Sequence, residues 1–119
     1  MEPRLCLVVI RVADLARSRQ FYESLGLTFR EEQHGGGPVH LACEVGEAVF
    51  EIYPAKSTED VTSRTRLGFR VTCMDKLAAA ATSRGGTITT PPQDSPWGRR
   101  MVLSDLDGHS VELLETFHV

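Results

Sequence analysis

Apolar positions along this chain follow two alternating rhythms, and the whole pattern occurs twice. Residues 5–12 are apolar on both parities and rich in β-branched side chains, which predicts a strand covered on both faces. Asp14 then caps a helix whose stripe is Leu15, Phe21, Tyr22 and Leu25, and Gly26 supplies the left-handed exit. Three strands are predicted next, over 27–33, 39–45 and 48–53, the last two joined by a tight turn at Gly46-Glu47. The unit is therefore βαβββ.

Self-similarity extends that unit to the rest of the chain. Ile10-Arg11-Val12 recurs as Phe69-Arg70-Val71 and Gly26 recurs as Gly85, both at a spacing of 59, whereas Val49-Phe50-Glu51-Ile52 matches Ser110-Val111-Glu112-Leu113 at 61. Module 1 spans 4–54, a solvated linker covers 55–65, and module 2 spans 66–116 with two extra loop residues. In the second copy the pattern predicts strands over 67–72, 87–90, 99–104 and 109–115 and an alanine-rich helix over 75–84. Residues 91–98, with three prolines and Trp97, read as a loop, and Leu106-Asp107-Gly108 as a hairpin turn. The expected fold is α+β: tandem βαβββ modules forming a curved mixed-sheet cup.

Composition narrows the classes. A chain of 119 residues with 41% hydrophobic and 24% charged residues suits a single globular domain. A net charge of -3 with dispersed arginines gives no footprint for nucleic acid or an anionic membrane. The apolar run at 5–10 is too short for a signal-peptide core, and no stretch is long enough to span a bilayer. Cys6, Cys43 and Cys73 are odd in number and widely spaced, as expected of reduced, buried thiols in the cytoplasm.

Strand alternation assigns Cys6, Val8, Ile10, Phe50, Ile52, Val111 and Leu113 to the helix side of the sheets. The other face then carries Leu7, Arg11, Glu51, Tyr53, Arg66, Arg70 and Glu112, and a two-residue turn at Gly46-Glu47 adds His40 opposite Tyr53 and Ala42 opposite Glu51. So polar a face is either solvated in a half-open sheet or folded into a cavity. The duplication favours the cavity, because a module with one covered face needs its twin to close the other.

Val8 to Leu15, Phe21-Tyr22 before Leu25-Gly26-Leu27, Val49 to Tyr53, and Asp105-Leu106-Asp107-Gly108 followed by Val111-Glu112-Leu113 resemble the vicinal oxygen chelate superfamily over nearly the whole chain. That superfamily includes glyoxalase I, extradiol dioxygenases, fosfomycin-resistance transferases and metal-free bleomycin-resistance proteins. Its metal-dependent members draw four ligands from the first and last strands of each module, which the resemblance maps to Leu7, Glu51, Arg66 and Glu112. Leucine has no lone pair and a guanidinium no acceptor, so no tight metal and no cofactor are expected there. Arg66 is expected instead to pair with both Glu51 and Glu112 on the floor of the cup. The alternative is a divalent metal on His40, Glu51 and Glu112. His34, His109 and His118 carry no such constellation, and the Gly35-Gly36-Gly37 run precedes a strand and so lacks the setting of a phosphate loop.

Two functions compete. One is a binding protein that sequesters an aromatic or antibiotic-like small molecule, with Trp97 stacking at the entrance and His40, Tyr53, Glu51, Arg66 and Glu112 supplying polar contacts. The other is a metal-dependent lyase, isomerase or dioxygenase. Superfamily members often complete the cup across two chains, so a homodimer is expected.

Overall fold

The computed structural model describes residues 1–116. Its elements are β1 (Leu7–Val12), α1 (Leu15–Glu23), β2 (Arg30–Glu32), β3 (His40–Val45), β4 (Ala48–Pro54), a 3₁₀ turn (Thr58–Asp60), β5 (Arg66–Arg70), α2 (Met74–Ser83), β6 (Thr87–Ser95), β7 (Gly98–Ser104) and β8 (Ser110–Glu115). They build two four-stranded sheets of the same order, β1-β4-β3-β2 and β5-β8-β7-β6. In each sheet the first and last strands of the module run parallel and the other pairings are antiparallel. Glu51 lies opposite Val9 and Glu112 opposite Gly68, so the duplication holds to the residue in the register of the parallel pairs.

Each sheet buries one face under its helix. Ile10, Val12, Phe50 and Ile52 meet Phe21 and Tyr22 of α1, while Met101, Leu103, Val111 and Leu113 meet Met74, Ala78 and Ala81 of α2. Complete burial of side chains of this size contributes about 1.5–3 kcal/mol each. The two cores merge into one, with Phe50 and Phe69 ring centroids 6.0 Å apart. Phe21 of module 1 also presses on Gly86 of module 2 so closely that a Cβ there would lie 2.6 Å from its ring.

The helix starts differ between the modules. Asp14 accepts the Arg17 N–H at 3.0 Å, as a good N-cap does. At the equivalent place, Cys73 sits at φ 53 and its side chain caps nothing. A carboxylate oxygen of Glu115, reaching over from β8, accepts the Met74 N–H at 2.9 Å instead.

Several boundaries depart from the sequence pattern. β1 begins at Leu7, which leaves Cys6 exposed, and Cys73 is exposed as well, so only Cys43 is the buried thiol expected of all three. β2 shrinks to three residues. The predicted loop at 91–98 is mostly strand, since β6 continues to Ser95. Pro91 and Pro92 are accommodated because β6 is an edge strand and the pairing with β7 slips between Thr90 and Gln93, where no ladder N–H is needed.

The β7–β8 turn locks the modules together. Asp105 is buried and accepts the Tyr22 hydroxyl at 2.6 Å, His109 Nδ1–H at 2.8 Å, and the backbone N–H groups of Asp107 and His109 at 2.9 Å each. His109 Nε2 lies 2.7 Å from the linker hydroxyl of Thr62, which also accepts the Arg11 N–H at 2.9 Å. Burial pushes the Asp105 carboxyl up, but the bonds from His109 and Tyr22 outweigh it and hold its pKa below the usual value. Burial, and then the Asp105 charge, raise that of Tyr22 well above its usual value. His109, assigned no constellation from sequence, is thus fully buried in a network that joins α1, β1, the linker and β8. His118 lies outside the described residues.

Candidate functional site

The first sheet carries an aromatic and acidic cluster on the face turned from its helix. His40 on β3 is 1% exposed, and its ring stacks on that of Tyr53 on β4 with centroids 4.1 Å apart and planes 7° apart. The Arg11 guanidinium carbon lies 6.0 Å from the Tyr53 centroid. His40 Nδ1 lies 3.2 Å from the carbonyl oxygen of Pro38, which can only accept, so Nδ1 carries the hydrogen and donates. Its Nε2 faces Glu32 Oε1 at 3.4 Å and Glu51 Oε2 at 3.8 Å and is a buried atom with no hydrogen-bond partner. The second oxygen of Glu32 accepts Arg30 Nε–H at 2.8 Å. That bond is the leading reason the Glu32 carboxyl sits below its usual pKa, against a smaller upward push from desolvation.

The second sheet treats its carboxylate otherwise. Glu112 Oε1 accepts from the Arg66 guanidinium at 2.9 Å and from Arg100 Nε–H at 2.7 Å. The Arg66 bond leads in lowering its pKa; desolvation opposes this and Arg100 adds to it. Arg66 is 54% exposed at its side chain, and the only ion pair it makes among the described residues is with Glu112.

These contacts correct two expectations. Arg66 pairs with Glu112 as expected but does not bridge to Glu51; Arg100 completes the cluster, and Glu51 lies toward His40. Within the chain His40, Glu51 and Glu112 do not form one metal-holding group, Glu112 being engaged by Arg66 and Arg100. The residues within metal-holding reach of His40 are Glu32 and His34, the latter carrying no constellation in the sequence pattern. Both missed partners followed from pairing rules: β2 sets Glu32 opposite His40, and β7 sets Arg100 opposite Leu114, two residues from Glu112 on the same face. Trp97 is 73% exposed in the β6–β7 turn and anchors no core.

Two largely apolar clefts lie at the junction of the modules. A cleft of about 760 Å³ is lined by Leu25, Leu27, Val45, Phe69, Val71 and Leu77, with Arg70 and Lys76 as its charged groups. A second, of about 310 Å³, is lined by Leu5, Val8, Val49, Phe50 and Phe69, and it includes Arg66, the sole predicted site residue to line either.

The model of the Glyoxalase/Bleomycin resistance protein/Dioxygenase superfamily matches residues 4–113. The chain belongs to that superfamily. Among solved structures, the hypothetical protein SA1046 from S. aureus is 20% identical, with a TM-score of 0.77 over 97% of this chain and 95% of that one. TnmS3, an antibiotic binding protein from Streptomyces sp. CB03234, is 24% identical with a TM-score of 0.72 over 98% of both chains. TioX from Micromonospora sp. ML1 is 21% identical with a TM-score of 0.71 over 97% of this chain and all of that one. No curated protein matches the chain. These likenesses establish the fold.

The metal set of the superfamily does not fit this chain. Leu7 is half exposed and donates nothing, and Arg66 brings a fixed positive charge bonded to Glu112. No step through a metal at those four positions follows from these side chains.

Proposed function

We propose that the protein binds a planar or aromatic small molecule of antibiotic-like size, without a metal at the four superfamily positions. The observation that carries this reading is the polar and aromatic equipment of the faces turned from the helices. One holds the parallel His40–Tyr53 stack beside Glu51, and the other holds Glu112 between two guanidiniums. A half-buried phenol ring held flat by its neighbour is a ready platform for a second ring, and the charged groups fix its orientation. The kinship with an antibiotic binding protein supports the same choice over a metal-dependent lyase, isomerase or dioxygenase.

A second copy of the chain would cover these faces, and the exposed Leu5, Leu7, Val39 and Ile88 support such an assembly. Its three unpaired cysteines suit a reducing, cytoplasmic setting. The test is a calorimetric screen of planar aromatic compounds. A true ligand should bind Tyr53→Ala at least about tenfold more weakly, a loss of about 1.4 kcal/mol. Ligands indifferent to both Tyr53→Ala and Arg100→Ala would refute the assignment to these faces. Sedimentation showing a monomer at all concentrations would refute the dimer.

A further inference from the structure

We propose that Glu32, His34 and His40 form a binding site for a borderline divalent transition-metal ion such as zinc, at the β2–β3 connection and apart from the four superfamily positions. Two imidazoles and one carboxylate are a donor set that such ions take readily. Glu32 Oε1 lies 3.4 Å from His40 Nε2 and 3.6 Å from His34 Nε2, and all three donor atoms lie within 4.8 Å of one another. An ion holding tetrahedral ligands at about 2.0–2.1 Å separates them by about 3.3 Å, so the present spacing needs little adjustment.

What points to an ion is the state of His40. Its Nδ1 is engaged by the Pro38 carbonyl, and Nε2 is buried, faces Glu32 and Glu51, and has no hydrogen-bond partner among the described residues. A buried polar nitrogen left unpaired is costly, and coordination to an ion satisfies it. The surroundings already have the form of a supporting shell. Tyr53 fixes the His40 ring by stacking, and Arg30 holds one oxygen of Glu32 so that the other faces the imidazoles. The turn after His34 is closed by the Gly37 N–H on the His34 carbonyl at 3.0 Å and by Gln33 Nε2–H on the Gly37 carbonyl at 2.9 Å. Gly35 at φ 57 permits that turn. Glu51, 3.8 Å from Nε2, adds negative charge, and three protein donors leave a fourth position open.

The site does not depend on what the small-molecule ligand is. It is tested on untagged, chelator-stripped protein by calorimetric titration with zinc and by the visible spectrum of the cobalt form. The expected result is one zinc per chain, a raised thermal midpoint, and a cobalt spectrum without a thiolate charge-transfer band. His34 is exposed, so His34→Ala should fold normally yet bind zinc at least roughly tenfold more weakly, as should Glu32→Gln. The double variant Cys6→Ser, Cys73→Ser should bind as the wild type does. Absence of zinc binding, binding unchanged in His34→Ala and Glu32→Gln, or binding lost with the cysteines would each overturn the site, whatever the small-molecule screen returns.

Discussion

Glu51 and Glu112 occupy the same place in their modules, on the last strand and opposite Val9 and Gly68. Glu112 is clamped by Arg66 and Arg100, whereas Glu51 looks toward a buried imidazole and a second carboxylate. The hairpin turns diverge in the same way. Four residues separate the paired Glu44 and Val49 in module 1, and its turn residue Glu47 is exposed and pairs, among the described residues, with Arg4. Five separate Ser104 and Ser110 in module 2, and that longer turn folds Asp105 and His109 inward. The backbone of a duplicated unit is held by hydrogen bonding and burial common to both copies, while side chains outside the core are free to take different work.

The largest difference to test is between these turns. Asp105→Ala would strand the Tyr22 hydroxyl, the His109 ring and two backbone donors in the interior, at a cost of about 3–5 kcal/mol. Glu47→Ala should cost no more than an exposed pair, about 0–1 kcal/mol. Urea unfolding of both variants checks the contrast, and equal losses would erase it. Acid sharpens it. The folded pKa of Asp105 lies below the unfolded value of about 3.9, so its contribution is complete above that value and disappears as pH falls through the folded one. Asp105→Asn should therefore flatten the stability profile below about pH 4, the range in which this carboxyl titrates.

The two ways of capping a helix come next. Asp14→Ala and Glu115→Ala should each cost about 0.5–2 kcal/mol by denaturant unfolding, although only the first is a local cap. A neutral Glu115→Ala would show that α2 starts without help from β8.

Smaller still is the effect of Arg66→Ala. Glu112 keeps Arg100 and Glu51 is elsewhere, so the loss should be about 0–1 kcal/mol and Glu51→Gln should not rescue it. A larger loss with rescue would restore the single convergent floor that the repeat alone suggests. Trp97→Ala should change stability by less than about 0.5 kcal/mol, the range of an ordinary surface position.

What could be read from the sequence follows this division. The βαβββ repeat, the Asp14 cap and the pairing of Ala42 with Glu51 were all legible, because periodicity and a two-residue turn determine them locally. The pairing of Arg66 with Glu112 was legible as well, but the place of Arg100 beside it in the position expected of Glu51 was not, because repeat arithmetic marks equivalent positions without saying which side chains meet. Glu32 lay in a predicted strand to which no pairing partner had been assigned, His34 lay just past its end, and β6 was hidden by prolines that an edge strand tolerates. His109 sat in a turn, where nothing in a linear pattern signals burial.

The chain of bonds from Tyr22 through Asp105 and His109 to Thr62 and Arg11 also bears on the history of the molecule. Duplicated proteins can in principle revert to two identical halves that associate. Here a cut between residues 55 and 65 would leave Tyr22 and Arg11 on one fragment and Asp105 and His109 on the other, each holding half of a polar interior. Neither fragment would have its polar interior satisfied on its own. The added turn residue works as a ratchet, after which the two copies survive or unfold together.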